Sequence, residues 1–580
     1  MLTRLLATRA RRVAAFLIGG ALVALAIWAL VDLVRIQHDV SRGEDVLRTV
    51  KATDLAKPRG LARPADTALR DIRRADHRAR TSLPFKLARP IPLIGHQVVA
   101  LREMTRIAAQ VATIGDQAAR TVQVRLDGAT AGPAGRVALL ETADVEVAKA
   151  RQQIARITVT NDRWVLPPLR GARNSLQGSL TSARARLRDI GVMAKSLRRM
   201  FVGPTNLVVL AGNNAEMRSG GMPLSAGVVE LNNGEIKVRR FVPTGKLFLK
   251  RGAVPVPREL RDLYGALAIG AEWRGTTVTP NFPAVGPVYE QMSRMIGFGD
   301  VDGVVFVDVL ALKSVIKSIG PVVLDDITYD ASNIERELLN ENYIRFPTPT
   351  DDVQAERYDV QSKIGVAIFE AVNSRPLKLG SLVSNLSAAG KGRHLLAWAK
   401  DPGLRMVWRR AGIDGAIPQT GLMVAMENIS ANKLDWYITP RVSVRTLKTS
   451  RNARRVELAV TFANKPRTRT SDVVEGIAYD REHGMTPGEH RVLLLAYLPH
   501  GAFDVASADP PFSVAGTDGG LKVVGFRYGV EVGKSRTVKI TFSVPKNQVF
   551  TLIPSARAHP VSYVTAKATY SDAIPVSFRL

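Results

Sequence analysis

Residues 13–31 are nineteen consecutive uncharged, mostly apolar residues, preceded by Arg4, Arg9, Arg11 and Arg12. As a helix such a run spans the hydrocarbon core, and the flanking arginines favour a cytoplasmic N-terminus. The expectation is a cytoplasmic tail over 1–12, a transmembrane helix over 13–34 and an extracytoplasmic bulk: a single-pass protein of the cell membrane. A cleaved secretory signal would carry a shorter apolar core and a small-residue cleavage site. Here residues 28–34 read Trp-Ala-Leu-Val-Asp-Leu-Val, which favours a retained anchor.

The net charge of +29 is uneven. Residues 1–200 hold 35 Lys and Arg against 16 Asp and Glu, so most of the basic excess lies in the first third of the chain. Arg70, Arg73, Arg74, Arg78 and Arg80 form one cluster, and Arg184, Arg186, Arg188, Lys195, Arg198 and Arg199 another. Such patches suit anionic lipid or phosphate-bearing polymers. Export argues against nucleic acid as a partner. With no cysteine, thiol-based metal sites, redox pairs and cysteine nucleophiles are excluded.

Residues 35–200 read as a helical stalk above the bilayer. Val98, Leu101, Thr105, Ala108, Val111, Ala112 and Gly115 recur at three- and four-residue spacing, as one helix face requires. Breaks are expected at 89–92, 128–135 and Pro167-Pro168. Such a stalk suits spacing or homo-oligomerisation. Over 201–430 short apolar runs alternate with helical patterns, which argues for a central α/β domain. Strands are expected at 206–211, 227–231, 237–242 and 303–308, with Asn232-Asn233-Gly234 closing a hairpin. From 431 to 580 strands dominate, at 436–447, 455–463, 491–498, 521–528 and 536–544, as in a β-sandwich. The fold class expected is thus α+β multidomain.

Catalytic motifs are sparse. The eight histidines form no H-E-x-x-H or H-x-H arrangement, and no G-x-S-x-G elbow or Walker loop occurs. Asp300-Val301-Asp302-Gly303 starts like a calcium loop, but Ala311 stands where the bidentate Glu belongs, so no metal site is expected. The most unusual stretch is 212–221, GNNAEMRSGG, directly after the first strand of the α/β domain. Open α/β sheets place ligands beyond a strand's carboxyl end. Asn213, Asn214, Glu216 and Arg218 are therefore the leading ligand-binding candidates, with Gly220-Gly221 permitting close backbone approach. The competing structural reading is an internal Glu216–Arg218 pair. Arg239 and Arg240 are further candidates.

"NNAEMRSGG", "ELNNGEIKV", "TPNFP", "DGVVFVDVLALKSVIKSIGPV" and "NKLDWYITP" resemble domain of unknown function 4012, a family of membrane-anchored, mainly bacterial envelope proteins. "DVLALKSVIKSIGPVVL" bears a more distant resemblance to the LytR–CpsA–Psr family, α/β enzymes that transfer glycopolymers from polyprenyl-pyrophosphate carriers. That family's Pro-Arg-Asp element has no counterpart here, where the comparable stretch runs Arg239-Arg240-Phe241-Val242-Pro243. Asn281 stands where the 4012 family more often has Asp.

The function expected is that of a non-catalytic or accessory envelope protein binding an anionic or lipid-linked glycopolymer. One alternative is a metal-dependent phosphotransferase acting on polyprenyl-pyrophosphate-linked glycan, with magnesium as its cofactor. The other is an oligomeric scaffold.

Overall fold

The apolar runs bounded by Gly, Pro and Asn set the strands of the central region. The computed structural model describes residues 25, 27–42, 60, 62–128, 132–161, 163–375, 379–477, 483–507 and 510–580. Contacts divide the chain into a helical unit, Met1–Gly128 with Ala138–Lys195, and a mixed α/β unit, Ala129–Val137 with Ser196–Leu580.

The expected transmembrane helix over 13–34 is not supported. Among the described residues no helix is long and apolar enough to cross a membrane. The expected tail over 1–12, residues 13–24 and residue 26 lie outside the described residues. The rest belongs to a helix over 27–42 that buries one face: Asp32, Ile36 and Asp39 are covered, at four- and three-residue spacing. That is the pattern of a helix packed on protein. Ile36 joins Ala75, Ala79, Phe85, Val98 and Leu101 in one apolar cluster, and Asp39 pairs with Arg78.

The longer helices of this unit are Ala62–Thr81, Ile94–Gly128, Pro133–Ala155, and Pro167–Val202, which runs on into the second unit. Pro167-Pro168 opens its helix, because the first-turn N–H groups have no helical partner to lose. Much of the first basic cluster is engaged internally. Arg70, Arg74, Arg78 and Arg80 pair with Asp66, Asp71, Asp39 and Asp76.

In the second unit the strands are β1 Thr205–Gly212, β2 Pro223–Asn232, β3 Glu235–Pro243, β4 Gly303–Val307, the small hairpin β5 Val322–Leu324 and β6 Ile327–Tyr329, and β7 Leu395–Ala399. A five-stranded sheet has the order β3-β2-β1-β4-β7, with β1 parallel to β4 and antiparallel to β2. The expected hairpin forms: Asn233 (φ 47°) and Gly234 (φ 79°) both adopt positive φ between β2 and β3. Helix Val309–Ile319 follows β4, capped by Asp308, whose Oδ1 accepts from the Leu310 and Ala311 N–H groups at 3.0 Å.

Later strands are β8 Gly421–Asn428, β9 Arg441–Thr449, β10 Ala453–Ala463, β11 His490–Leu498, β12 Phe503–Ala506, β13 Val514–Asp518, β14 Leu521–Val530, β15 Ser535–Pro545, β16 Phe550–Leu552, β17 Ser562–Val564, β18 Thr569–Ser571 and β19 Ser577–Phe578. They form two six-stranded sheets, β13-β14-β11-β8-β16-β19 and β12-β15-β10-β9-β17-β18. The first sheet is covered on both faces, which is why β11 reads as the unbroken apolar run Val492-Leu-Leu-Leu-Ala-Tyr-Leu498. One face packs Met423, Ala425, Leu493, Leu495 and Tyr497 into a core shared with Phe282, Val285 and Leu396. Towards the other sheet, Tyr528 meets Phe462 at 5.6 Å between ring centroids, and Tyr563 accepts a hydrogen bond from the Val424 N–H. The regions expected to be separate on either side of residue 430 therefore share a core.

Candidate functional site

The β1–β2 connection closes over Phe306 of β4. A Cβ on Gly212 would lie 2.3 Å from Phe306 Cζ, and one on Gly221 (φ 91°) 2.1 Å from the same atom. A Cβ on Gly220 would lie 2.7 Å from the Thr279 carbonyl oxygen. The close approach expected at Gly220-Gly221 is thus an approach of protein to protein, and only glycine fits it.

The side chains of this connection are committed too. Asn213 donates to Tyr343 Oη at 2.6 Å and accepts from the Ala215 N–H. Asn214 donates to Asp308 Oδ2 and to the Ala556 carbonyl, both at 2.7 Å. Glu216 pairs with Lys433, and Arg218 donates to the Asn428 carbonyl with its Nε 4.0 Å from Glu427 Oε2. No Glu216–Arg218 pair forms: each reaches a separate partner on the 427–433 stretch. Arg239 lies away from these residues on β3, in a half-exposed ion pair with Glu230 at 2.7 Å. Arg240 follows it on the same strand, its side chain outside the described ones.

Two buried carboxylates behind the connection titrate in opposite directions. Burial pushes Glu427 up to about 8, because Arg218 at 4.0 Å and the Ser219 donors offset only part of the desolvation. Burial also disfavours the charge on Asp435, but Arg557 at 2.8 Å, His490 and Asn428 outweigh it and hold Asp435 well below the usual carboxylate range. The contrast follows from geometry, a direct guanidinium contact against a distant one.

Beside this network lies a cavity of about 210 Å³, lined by Glu216, Arg274, Tyr343, Arg357, Lys433 and Asp472 among others. Its cations differ in what holds them. Arg274 pairs with Glu272 at 2.5 Å, and Lys433 is held by Glu216. Among the described residues, Arg357, only 5 % exposed, has no carboxylate partner and no hydrogen-bond acceptor for its Nη1. Its guanidinium carbon sits 5.3 Å from the Tyr343 ring centroid and 5.9 Å from that of Tyr358. Lys433 Nζ lies 5.6 Å from the Tyr343 ring. Burial pushes the Tyr343 hydroxyl up to about 12, so near neutral pH it stays protonated. Gln354 and Gln361 add amide groups to the wall, while Leu224, Pro349 and Val473 make its apolar part.

Of the sequence candidates whose side chains are described, only Glu216 lines this cavity, with Asn213 one hydrogen bond behind it through Tyr343. Arg357, Tyr343, Arg274 and Lys433 were not singled out as site residues. Arg357 sits in a helix, Asp351–Ser374, whose first half mixes Val353, Ala355, Tyr358 and Val360 with charged residues, so periodicity gives no signal for one buried guanidinium. Among the described residues no three His, Asp or Glu side chains converge to hold a metal, and Glu216 in the cavity is committed to Lys433.

Residues 202–343 match the family described as Protein of unknown function (DUF4012). This stretch is a DUF4012 region. No curated protein and no solved structure matches the chain. The resemblance to DUF4012 therefore holds from the end of helix Pro167–Val202 to Tyr343, and "NKLDWYITP" lies beyond it. The more distant resemblance to LytR–CpsA–Psr enzymes finds no support in these comparisons. The cavity draws Glu216, Arg274 and Tyr343 from the DUF4012 region, and Arg357, Lys433 and Asp472 from outside it.

Proposed function

We propose that this protein is a non-catalytic binding protein for an anionic sugar unit, such as a phosphorylated or acidic residue of an envelope glycopolymer or its lipid-linked precursor. The observation that carries this is Arg357, a buried guanidinium with an unsatisfied donor at the wall of a cavity. A buried charge without a partner is costly, and chains keep one where a ligand completes it. A guanidinium fork matches the oxygen geometry of phosphate and carboxylate.

The cavity is smaller than the ~300–1,000 Å³ of drug-sized sites, with room for one anionic group and part of the ring carrying it. The Gln354 and Gln361 amides suit sugar hydroxyls, as both donors and acceptors. The test is equilibrium binding of the full chain to inorganic phosphate, glucose 1-phosphate, glucuronate and glucose. Binding of the anionic members with glucose silent supports the proposal. Equal affinity for all four, or for none, removes it.

A further inference from the structure

The helical unit exposes apolar side chains from three separate segments around one cluster. The first is the short helix Leu83–Ala88 with the turn after it. Phe85 points inward to pack with Val98, Leu101 and Ile36, yet Leu83 and Leu87 are exposed on the same short helix, as are Ile91, Leu93 and Ile94 beyond it. A helix facing water on its outer side should be polar there, yet this one exposes Leu83 and Leu87 beside Lys86.

The turn is tightly built. Gln97 donates to the Leu93 carbonyl at 3.0 Å and to the Trp164 carbonyl at 2.9 Å, and accepts from the Leu166 N–H at 2.8 Å. That amide fixes the second segment, where Trp164 and Leu166 are exposed. The third is the helix over 27–42, which reaches the same cluster through Ile36 and Ala29 and leaves Trp28, Leu30 and Val34 in the open. The Gln97 bonds and the shared cluster thus group exposed apolar side chains from all three segments, as interaction sites do.

The charges around it indicate what covers it. Residues 83–99 contain Lys86 and Arg89 and no Asp or Glu. Arg35 is exposed on the N-terminal helix, and the Arg163 guanidinium lies 5.8 Å from the Trp164 ring. The nearby acids are withdrawn: Asp32 is buried and Asp39 pairs with Arg78. Apolar side chains fringed by tryptophan and by cations on long stems are the composition of a surface lying in a bilayer interface.

We infer that this end of the helical unit docks on an anionic lipid surface. The turn at 89–94 and its neighbours enter the headgroup boundary, and Lys86, Arg89 and Arg163 meet the phosphates. The contact is peripheral and requires no spanning helix.

The chain has no cysteine, so Leu93→Cys in the full chain accepts a single environment-sensitive fluorophore. Leu87→Cys is the second probe position, and Val124→Cys, 71 % exposed in the same unit, is the control. On vesicles of phosphatidylcholine with phosphatidylglycerol, the dye at 93 and at 87 should brighten several-fold and shift to the blue, while the dye at 124 stays unchanged. Replacing Lys86 or Arg89 by Gln should weaken vesicle binding about five-fold each. Unchanged dyes at 87 and 93 on chain that sediments with the vesicles would overturn the proposal, because binding then uses another part of the molecule. Brightening that rises with protein concentration without vesicles would also overturn it, assigning the surface to a second copy of the chain.

Discussion

Replacing Arg357 by Met separates a ligand-binding cation from a structural one. Removing one member of a satisfied buried ion pair usually costs ~3–5 kcal/mol, because the other charge is stranded. Arg357 has no such partner to strand. Its unsatisfied N–H costs ~1–3 kcal/mol, and the two tyrosine rings, at 5.3 and 5.9 Å near the outer limit of such contacts, offset part of that. Methionine keeps the unbranched stem without the charge. In anion-free buffer the variant should therefore be as stable as the wild type or more stable, by up to ~2 kcal/mol. Saturating anion reverses the order: ligand at 100 times its Kd adds ~2.7 kcal/mol to a protein that binds it and nothing to one that does not. Urea unfolding with and without phosphate, followed by tryptophan fluorescence, reads both terms. A variant destabilised by more than ~2 kcal/mol in plain buffer would make Arg357 a structural cation. An equal phosphate effect on both proteins would place the anion elsewhere. Either result refutes the reasoning.

Lys433→Met should cost ~3–5 kcal/mol by leaving Glu216 buried without its cation. The double variant with Glu216→Gln should recover most of that loss in the same unfolding assay. Glu427 carries a folded pKa of about 8 against an ordinary 4.5, so the native state binds the extra proton and wild-type stability falls as pH rises across that window. Glu427→Gln should flatten this dependence, with the gap in stability between the two proteins widening up to about pH 8 and constant above it. Stability measured against pH that slopes equally for both would place the titration elsewhere. Gly221→Ala should lose ~1–3 kcal/mol or more, since its Cβ would meet the Phe306 ring at a positive φ. A variant with unchanged unfolding would show that the Phe306 contact is not held closed.

What the sequence conveyed was chiefly local. The apolar run at 206–211, the Asn233-Gly234 turn and the unbroken run in β11 each report their own environment, so β1, the β2–β3 hairpin and a doubly covered strand are readable in place. The strand expected from 436 begins instead at Arg441, because local bonds ahead of it hold the chain in turns. The Ser430 N–H bonds to Asn428 Oδ1, and the Tyr437 and Ile438 N–H groups bond back to the Leu434 carbonyl in a 3-10 turn over Leu434–Trp436. The apolar run near the N-terminus suggested a membrane span. Past residue 31, however, buried Asp32, Ile36 and Asp39 form the inner face of a packed helix, which hydropathy summed over a window does not register. The polar residues of 213–219 mark a special segment, yet most of their polarity satisfies internal partners on 427–435. The cavity gathers residues from 216, 274, 343, 357, 433 and 472, too far apart in sequence for any spacing to connect them.

The most direct measurement is calorimetric titration of the intact chain with a sugar phosphate at about 10 mM and about 150 mM salt, beside Arg357→Met. At the higher salt the Debye length is about 8 Å, so attraction to an exposed basic surface is largely screened while a buried contact persists. One-to-one binding that survives the higher salt and disappears in Arg357→Met is the expected result. Binding that vanishes with salt, or that the variant retains in full, would contradict an anion site built on Arg357.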